Sequence, residues 1–147
     1  MSAGRLVAVM DSGPLIALMR ASDEHHKVSL EWLSAVGRRR ERVVVPLPVV
    51  TEVCLFLERK QRTDLEAAFL RELHARQDLF ALHAPAPAEL LRMAEQVAQY
   101  ASFPLGTPDA SVIVAAQVYG ITRVATLDHR HFRAVRPRHA DFLHLVP

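Results

Sequence analysis

The stretch VAVMDSGPLIALM (residues 7–19) joins two apolar runs through a single acidic residue, Asp11. The run before Asp11 has the length of a buried strand. Pro14 follows where the first turn of a helix tolerates proline. The stretch therefore predicts a strand over Leu6–Met10 that leads directly into a helix over Pro14–Arg20. Asp11 lies at the junction, where it could cap the helix or belong to a site at the end of the strand.

The rest of the chain repeats this alternation of short apolar runs with longer segments of helical period. The other predicted strands are Arg42–Val45, Leu79–His83, Arg123–Thr126 and Phe142–Val146. The other predicted helices are Asp23–Val36, Val49–Arg59, Thr63–Arg76, Pro87–Ala101 and Pro108–Tyr119. Strands that alternate with helices favour a parallel sheet covered on both faces. We therefore predict an α/β three-layer sandwich around a mainly parallel sheet of about five strands.

Several helix boundaries carry local signals. Asp23 and Thr63 are predicted as N-caps, and Thr63 has the capping-box spacing to Glu66. Gly120 is predicted as a C-cap glycine. Prolines are expected in the first turn of four helices, at Pro14, Pro48, Pro87 and Pro108.

Length and composition limit the class of protein. The 147 residues are half apolar, which fits one domain over residues 1–147 with its own core. No apolar run reaches membrane-spanning length, and the N-terminus lacks a signal-peptide pattern. The single cysteine, Cys54, is consistent with the cytoplasm. Of 18 basic residues, all but Lys27 and Lys60 are arginines, which suit phosphate, so a nucleic-acid partner is permitted but not required.

Four carboxylates are predicted to meet at one edge of the sheet. Asp11 follows the first strand, and Asp128 follows the fourth. Glu52 lies one turn into the helix after the second strand, and Asp109 lies in the first turn of the sixth helix. In a parallel sheet, the carboxyl ends of the strands and the N-termini of the following helices share one edge, where ligands bind.

Taken singly, three of these acids have ordinary explanations. Asp11 could be an N-cap, Asp109 could be favoured by the helix dipole, and Asp128 could be a turn residue. Glu52 is harder to explain, because VVTEVCLFL (residues 49–57) offers no polar stripe and a bare buried carboxylate is costly. Together the acids repel unless cations neutralise them, and an all-oxygen ligand set suits Mg²⁺ or Mn²⁺. Such a cluster favours metal-dependent phosphodiester hydrolysis.

Four motifs, in this order, resemble those of PIN-domain ribonucleases, specifically VapC-like toxins of bacterial toxin–antitoxin pairs. They are VMDSGPLIAL (9–18), VTEV (50–53), PDASVIVAA (108–116) and ATLDHRHF (125–132). The resemblance implies a PIN-like α/β sandwich and an Mg²⁺- or Mn²⁺-dependent endoribonuclease that hydrolyses RNA. It also implies a homodimer that a cognate antitoxin inhibits.

By this resemblance, Asp11, Asp109 and Asp128 would hold the metal, and Glu52 would hold it or orient the attacking water. Ser12 and Thr126 match small hydroxyl positions that support the acids. The chain departs from the pattern at Ser102, where many relatives carry a further acid, and at Thr107-Pro108, where relatives often have two apolar residues. The number of bound ions therefore stays open.

The segment DHRHFRAVRPRH (residues 128–139) gathers basic residues beyond the last acid. His129, Arg130 and Arg133 are candidate RNA-binding residues. With Arg136 and Arg138, they could form a basic rim that draws RNA phosphates to an acidic cleft. A solvated surface loop is the other explanation.

Other protein classes fit less well or stay open. A phosphoacceptor receiver domain needs a late lysine, and none follows Lys60. A haloacid-dehalogenase-type phosphatase needs a second aspartate where this chain has Gly13. A PIN-type RNA-processing nuclease that is not a toxin remains an alternative. So does a non-catalytic interaction module whose acids receive an arginine of a partner, and metal-dependent cleavage would separate that module from an enzyme.

Overall fold

Short apolar runs form a parallel sheet at the centre of the computed structural model, which describes residues 3–147. Its strands are β1 (Leu6–Met10), β2 (Arg42–Pro46), β3 (Phe80–His83), β4 (Arg123–Ala125) and β5 (His144–Val146). Their spatial order is β3-β2-β1-β4-β5, and every neighbouring pair is parallel. Strand β1 is therefore central, and its residues Ala8–Met10 are fully buried.

Helices flank this sheet and complete the predicted α/β architecture. They are α1 (Ser12–Met19), α2 (His26–Arg38), α3 (Leu47–Arg59), α4 (Thr63–Ala75), α5 (Pro87–Gln99), α6 (Thr107–Tyr119) and α7 (His129–Arg133). Helix α6 packs on β1 and β2, and its small and β-branched residues 110–116 are all buried. No helix within residues 3–147 is long and apolar enough to cross a membrane.

Two predicted N-caps are wrong. Helix α2 begins at His26, because Asp23 forms a turn before it, in which the Asp23 carboxylate accepts a hydrogen bond from the His25 amide at 2.8 Å. Helix α4 begins with Thr63 already in the helix, since the Arg62 carbonyl accepts the first helical hydrogen bond from the Glu66 amide at 3.0 Å. The Thr63 side chain makes no capping bond, so the predicted capping box is absent.

Other boundary signals are confirmed. The four prolines lie in the first turns of α1, α3, α5 and α6. Gly120 ends α6 in the left-handed conformation (φ 64°), which a residue without a side chain adopts at little cost. The predicted helices and strands otherwise shift by a few residues at their ends; β5, for example, begins at His144 rather than Phe142. Helix α7 was not predicted, because its five residues are too short to reveal a period.

Candidate active site

Parallel strand order brings the four predicted acids to one cleft of about 920 Å³. Asp11 follows β1, and its amide donates to the Ala125 carbonyl of β4 at 2.9 Å, which ties the two strands together at the site. Asp128 follows the last residue of β4 by three positions. Asp109 lies in the first turn of α6, and Glu52 lies in the second turn of α3. All four side chains line the cleft.

Asp11 is the most buried of these acids, with 4% of its surface exposed. It occupies the N-cap position of α1, but its side chain makes no capping bond there. Instead, Oδ2 accepts a hydrogen bond from the Thr126 hydroxyl at 2.9 Å, and Oδ1 is buried without a hydrogen-bond partner among the described residues. The helix-cap explanation of Asp11 therefore does not account for its side chain.

Burial raises the pKa of Asp11 from its ordinary value of 3.8 to about 7. The negative charges of Asp109 and Glu52 act in the same direction as burial, and hydrogen bonding by the Ser12 backbone and the Thr126 hydroxyl opposes them. The carboxylate at the end of the central strand is thus poorly stabilised in its charged form by the protein alone.

Asp109 shares this environment. Burial raises its pKa to about 6, with Glu52 and Asp128 adding repulsion, while His131 opposes the rise. The Nδ1 atom of His131 lies 3.4 Å from Asp109 Oδ2 and 2.9 Å from Asp128 Oδ2, so this ring bridges two of the acids. In the sequence, His131 is one of several basic residues in the segment 128–139, and nothing there joins it to the acids. Recognition of α7 as a helix would have found it, since the Asp128–His131 spacing places both on one face.

Thr126 joins two of the acids through one hydroxyl group. This group donates to Asp11 and accepts a hydrogen bond from the Asp128 amide at 3.0 Å, and the residue is fully buried. Ser12, the first residue of α1, also lines the cleft. The two predicted supporting residues therefore both lie beside Asp11.

Glu52 lines the cleft for a reason different from the one its sequence pattern suggested. The core face of α3 consists of Val49, Val53 and Leu57, whereas Leu55 is 44% exposed. Glu52 is half-buried between these faces and opens to the cleft. Phe56 and Arg59 follow it on the same face of the helix and line the same cleft. Neither carries a signal in the sequence that would mark it as a site residue.

The four acids of the cleft suit a hard divalent cation in their chemistry, although their carboxylates are not close together. Within residues 3–147, no three His, Cys, Asp or Glu side chains are grouped closely enough to hold one ion as they stand. Mutual repulsion between like charges acts against closer approach. An all-carboxylate donor set and the unpartnered Oδ1 of Asp11 are nevertheless the chemistry that Mg²⁺ or Mn²⁺ selects.

The basic segment after Asp128 is divided between different surfaces. His129 and Arg130 line the acidic cleft, whereas Arg133 lines a neighbouring pocket. Arg136 donates to the backbone of Arg133 and Val135, and Arg138 forms an ion pair with Glu95 at 2.7 Å. A continuous basic rim does not form. Ser102 stands where many relatives carry a further acid. It is exposed and does not line the cleft either.

Comparisons with known proteins identify the family of this chain. Residues 8–137 match the sequence model of the PIN domain. The chain belongs to the PIN domain family. Ribonuclease VapC26 of Mycobacterium tuberculosis (strain ATCC 25618 / H37Rv) is 30% identical over 129 residues, which cover 88% of this chain and 92% of that protein. The fold is similar to the crystal structure of Mycobacterium tuberculosis VapC20, described as a sarcin–ricin loop cleaving toxin. That match has a TM-score of 0.73 at 14% identity, covering 83% of this chain and 90% of the other.

Removal of the Thr126 hydroxyl should destabilise this PIN domain. Thr126→Val leaves Asp11 Oδ2 and the Asp128 amide without their shared partner, which costs about 1–3 kcal/mol of unfolding free energy. Thr126→Ser keeps the hydroxyl and loses one methyl group, which costs about 0.8 kcal/mol. Urea unfolding at pH 8 in EDTA compares the two variants. Equal stability of the valine and serine variants would contradict a stabilising role of the two Thr126 hydrogen bonds.

Without metal, the protein should lose stability as the pH rises from 5 to 8. The pKa values of Asp11 and Asp109 are raised in the folded state, so the folded protein holds protons that the unfolded chain releases at lower pH. The contribution of these two protonated side chains to the free energy of unfolding is complete below about pH 4. It is lost as the pH rises through their pKa values in the folded protein.

Asp11→Asn removes one of the two carboxylates and should weaken the dependence of stability on pH. The variant should therefore be more stable than wild type at pH 8. Thermal unfolding in EDTA at pH 5, 6, 7 and 8 measures both proteins. If the stability of wild type and variant falls equally between pH 5 and pH 8, Asp11 does not contribute to the pH dependence.

Proposed function

We propose that this PIN-domain protein is a metal-dependent endoribonuclease that hydrolyses RNA phosphodiester bonds, and that it acts as the toxin of a toxin–antitoxin pair. The observation that carries the proposal is the buried Asp11 carboxylate, held beside Asp109 in a cleft that Glu52 and Asp128 also line. Such a cluster costs stability unless a cation neutralises it. The similarity to Ribonuclease VapC26 supports RNA as the substrate.

In this proposal, Asp11, Asp109 and Asp128 would hold the metal, and Glu52 would hold it or orient the attacking water. When bound, Mg²⁺ or Mn²⁺ stabilises charge on the phosphate and lowers the pKa of water.

The protein's own residues supply position and charge. Thr126 fixes Asp11 and the backbone of Asp128 relative to each other. His131 spans Asp109 and Asp128 and so orders the more exposed side of the cleft. No side chain at the site is arranged as an activated serine or cysteine nucleophile among the described residues, so we expect direct attack by water on the phosphodiester.

An acidic cleft must still attract an anionic substrate. Arg59 and Arg130 line the same cleft as the four acids and are exposed. They can contact phosphate groups on either side of the bond that is cut, because arginine donates two parallel hydrogen bonds to phosphate. We assign these two arginines, together with His129, to RNA binding at the cleft.

The proposed partners follow from membership of the family and from the surface. A cognate antitoxin and a second copy of the chain are expected partners, and the cytoplasm is the expected location. An apolar groove of about 630 Å³ lies between α1, α2 and α4, and Leu18, Met19 and Leu30 contribute partly exposed side chains to it, which supports binding of an apolar segment. A PIN-type processing nuclease with no toxic role is the alternative, and growth of cells expressing the protein separates the two.

Cleavage of RNA by the purified protein tests the enzyme proposal. We expect cutting with Mg²⁺ or Mn²⁺ and none in EDTA. Asp11→Asn and Asp109→Asn should each lower the rate by at least about 100-fold, because each removes a charged ligand oxygen from the site.

Two matched controls accompany these variants. Asp78→Asn changes an exposed aspartate two residues before β3, at the end of the strands opposite to the acids, and Glu58→Gln changes an exposed glutamate on the same helix as Glu52. Both should keep wild-type activity, whereas Glu52→Gln should not. Cleavage that survives in the Asp11 and Asp109 variants would indicate a contaminating nuclease, and the interaction-module alternative would then take precedence.

A further inference from the structure

A second pocket, of about 590 Å³, adjoins the acidic cleft. It lies between α2, α7 and strands β4 and β5, and we call it the arginine–aromatic pocket. Its polar and aromatic lining residues are Trp32, Arg39, Arg123, Arg133, Phe142 and His144. His129, at the start of α7, lines both this pocket and the acidic cleft, so the two are neighbours.

The charge of this pocket is opposite to that of the acidic cleft. No aspartate or glutamate is among its described lining residues. Arg123 and Arg133 are exposed, and neither forms an ion pair with a carboxylate in the part of the chain that the structure describes. Arg39, in contrast, forms an ion pair with Glu41 at 2.7 Å. The guanidinium groups of Arg123 and Arg133 are therefore the ones available to an anion. Arginines in this state are suited to phosphate.

The aromatic residues point to more than an inorganic anion. Phe142 is 57% exposed although its neighbour Leu143 is buried. Its ring stacks on that of His144, with centroids 5.3 Å apart and an interplanar angle of 28°. Trp32, the only tryptophan of the chain, contributes a half-buried edge of the same pocket. Exposed aromatic rings beside arginines are the combination that binds bases and phosphates of single-stranded nucleic acid.

We propose that the arginine–aromatic pocket binds an unpaired nucleotide that flanks the cleavage site of the RNA held in the acidic cleft. This inference rests on the proposed ribonuclease function and specifies where its substrate extends. Arg123 and Arg133 contact phosphates, and Phe142 stacks on a base.

Helix α7 provides the path between the two sites. It has five residues and is therefore about 7 Å long. His129 and Arg133 are four residues apart and so share one face of α7, whereas Arg130 is directed to the acidic cleft. One RNA strand that crosses α7 can contact all three residues. Arg133 is thus still proposed to bind RNA, in the arginine–aromatic pocket and not on a rim of the acidic cleft.

Binding of a labelled RNA tests the pocket directly. The probe is a fluorescein-labelled random-sequence RNA of 12 nucleotides, measured by fluorescence anisotropy in EDTA with the full chain. Phe142→Ala should weaken binding by about 5- to 150-fold without changing its salt dependence. Arg123→Gln should reduce the slope of log Kd against log salt concentration by about 0.7, the loss of one phosphate contact.

The controls match these substitutions elsewhere on the surface. Arg71→Gln on α4 and Leu91→Ala on α5 change exposed residues that line neither site, and both should bind RNA as wild type does. Thermal unfolding confirms that all four variants fold. Wild-type affinity and salt slope in both pocket variants would overturn the inference, and the pocket would then be a candidate for an acidic protein segment instead.

Cleavage of two substrates separates this inference from the proposed function. With Mn²⁺, the pocket variants should cut the 12-nucleotide RNA more slowly at low substrate concentration and cut a trinucleotide at the wild-type rate. If the wild-type protein cuts neither RNA while binding still depends on Phe142 and Arg123, the ribonuclease proposal fails and the binding pocket remains. If the wild-type protein cuts RNA and both variants bind and cut normally, the pocket inference alone fails.

Discussion

Burial of the Asp11 carboxylate at the end of the central strand is the constraint on which the rest of this structure depends. β1 lies between β2 and β4, so any residue that directly follows it is enclosed by the sheet and the helix that begins there. The Asp11 backbone is bound to β4, which fixes the position of the residue, and the carboxylate cannot turn towards solvent without breaking its bond to Thr126. Its raised pKa is the electrostatic consequence.

The other acids act on this one. Asp109 and Glu52 arrive from two different helices and add negative charge to a site that already disfavours it. A core residue chosen for stability alone would not be placed there, because replacement of Asp11 by an apolar residue would remove the penalty. The cluster is therefore best understood as a binding site for positive charge, and the proposed metal supplies that charge. His131, when protonated, supplies part of it to Asp109 and Asp128.

Much of this arrangement could be predicted from the sequence, because it follows from strand order. Asp11, Asp109 and Asp128 stand next to strands or helix starts, and parallel topology alone brings such residues to one edge. The position of Glu52 was predicted, but the argument for it assumed that its neighbours are buried, and Leu55 is not. The contacts of Thr126 and His131 depend on side-chain geometry between residues on different elements, which hydrophobic periodicity does not report.

The basic residues show a further limit of sequence reasoning. Arg130 and Arg133 are three positions apart, and the formation of α7 around buried Phe132 directs them to different pockets. Arg123 and Phe142 lie far from α7 in sequence and meet it only because β4 and β5 are neighbours. The resulting pairing of an acidic cleft with an arginine-rich pocket is a property of the folded chain. In the proposed complex, the cleft receives the reacting phosphate and the pocket receives the flanking nucleotide.

Proton release on metal binding tests the central claim most directly. Mn²⁺ is titrated into metal-stripped protein by calorimetry, at pH 6 and pH 8, in buffers of different ionisation enthalpy. Because Asp11 has a pKa of about 7, it is largely protonated at pH 6 and largely ionised at pH 8. We predict release of protons at pH 6, much less at pH 8, and reduced release at pH 6 for Asp11→Asn. Absence of Mn²⁺ binding, or equal proton release at both pH values, would contradict the account.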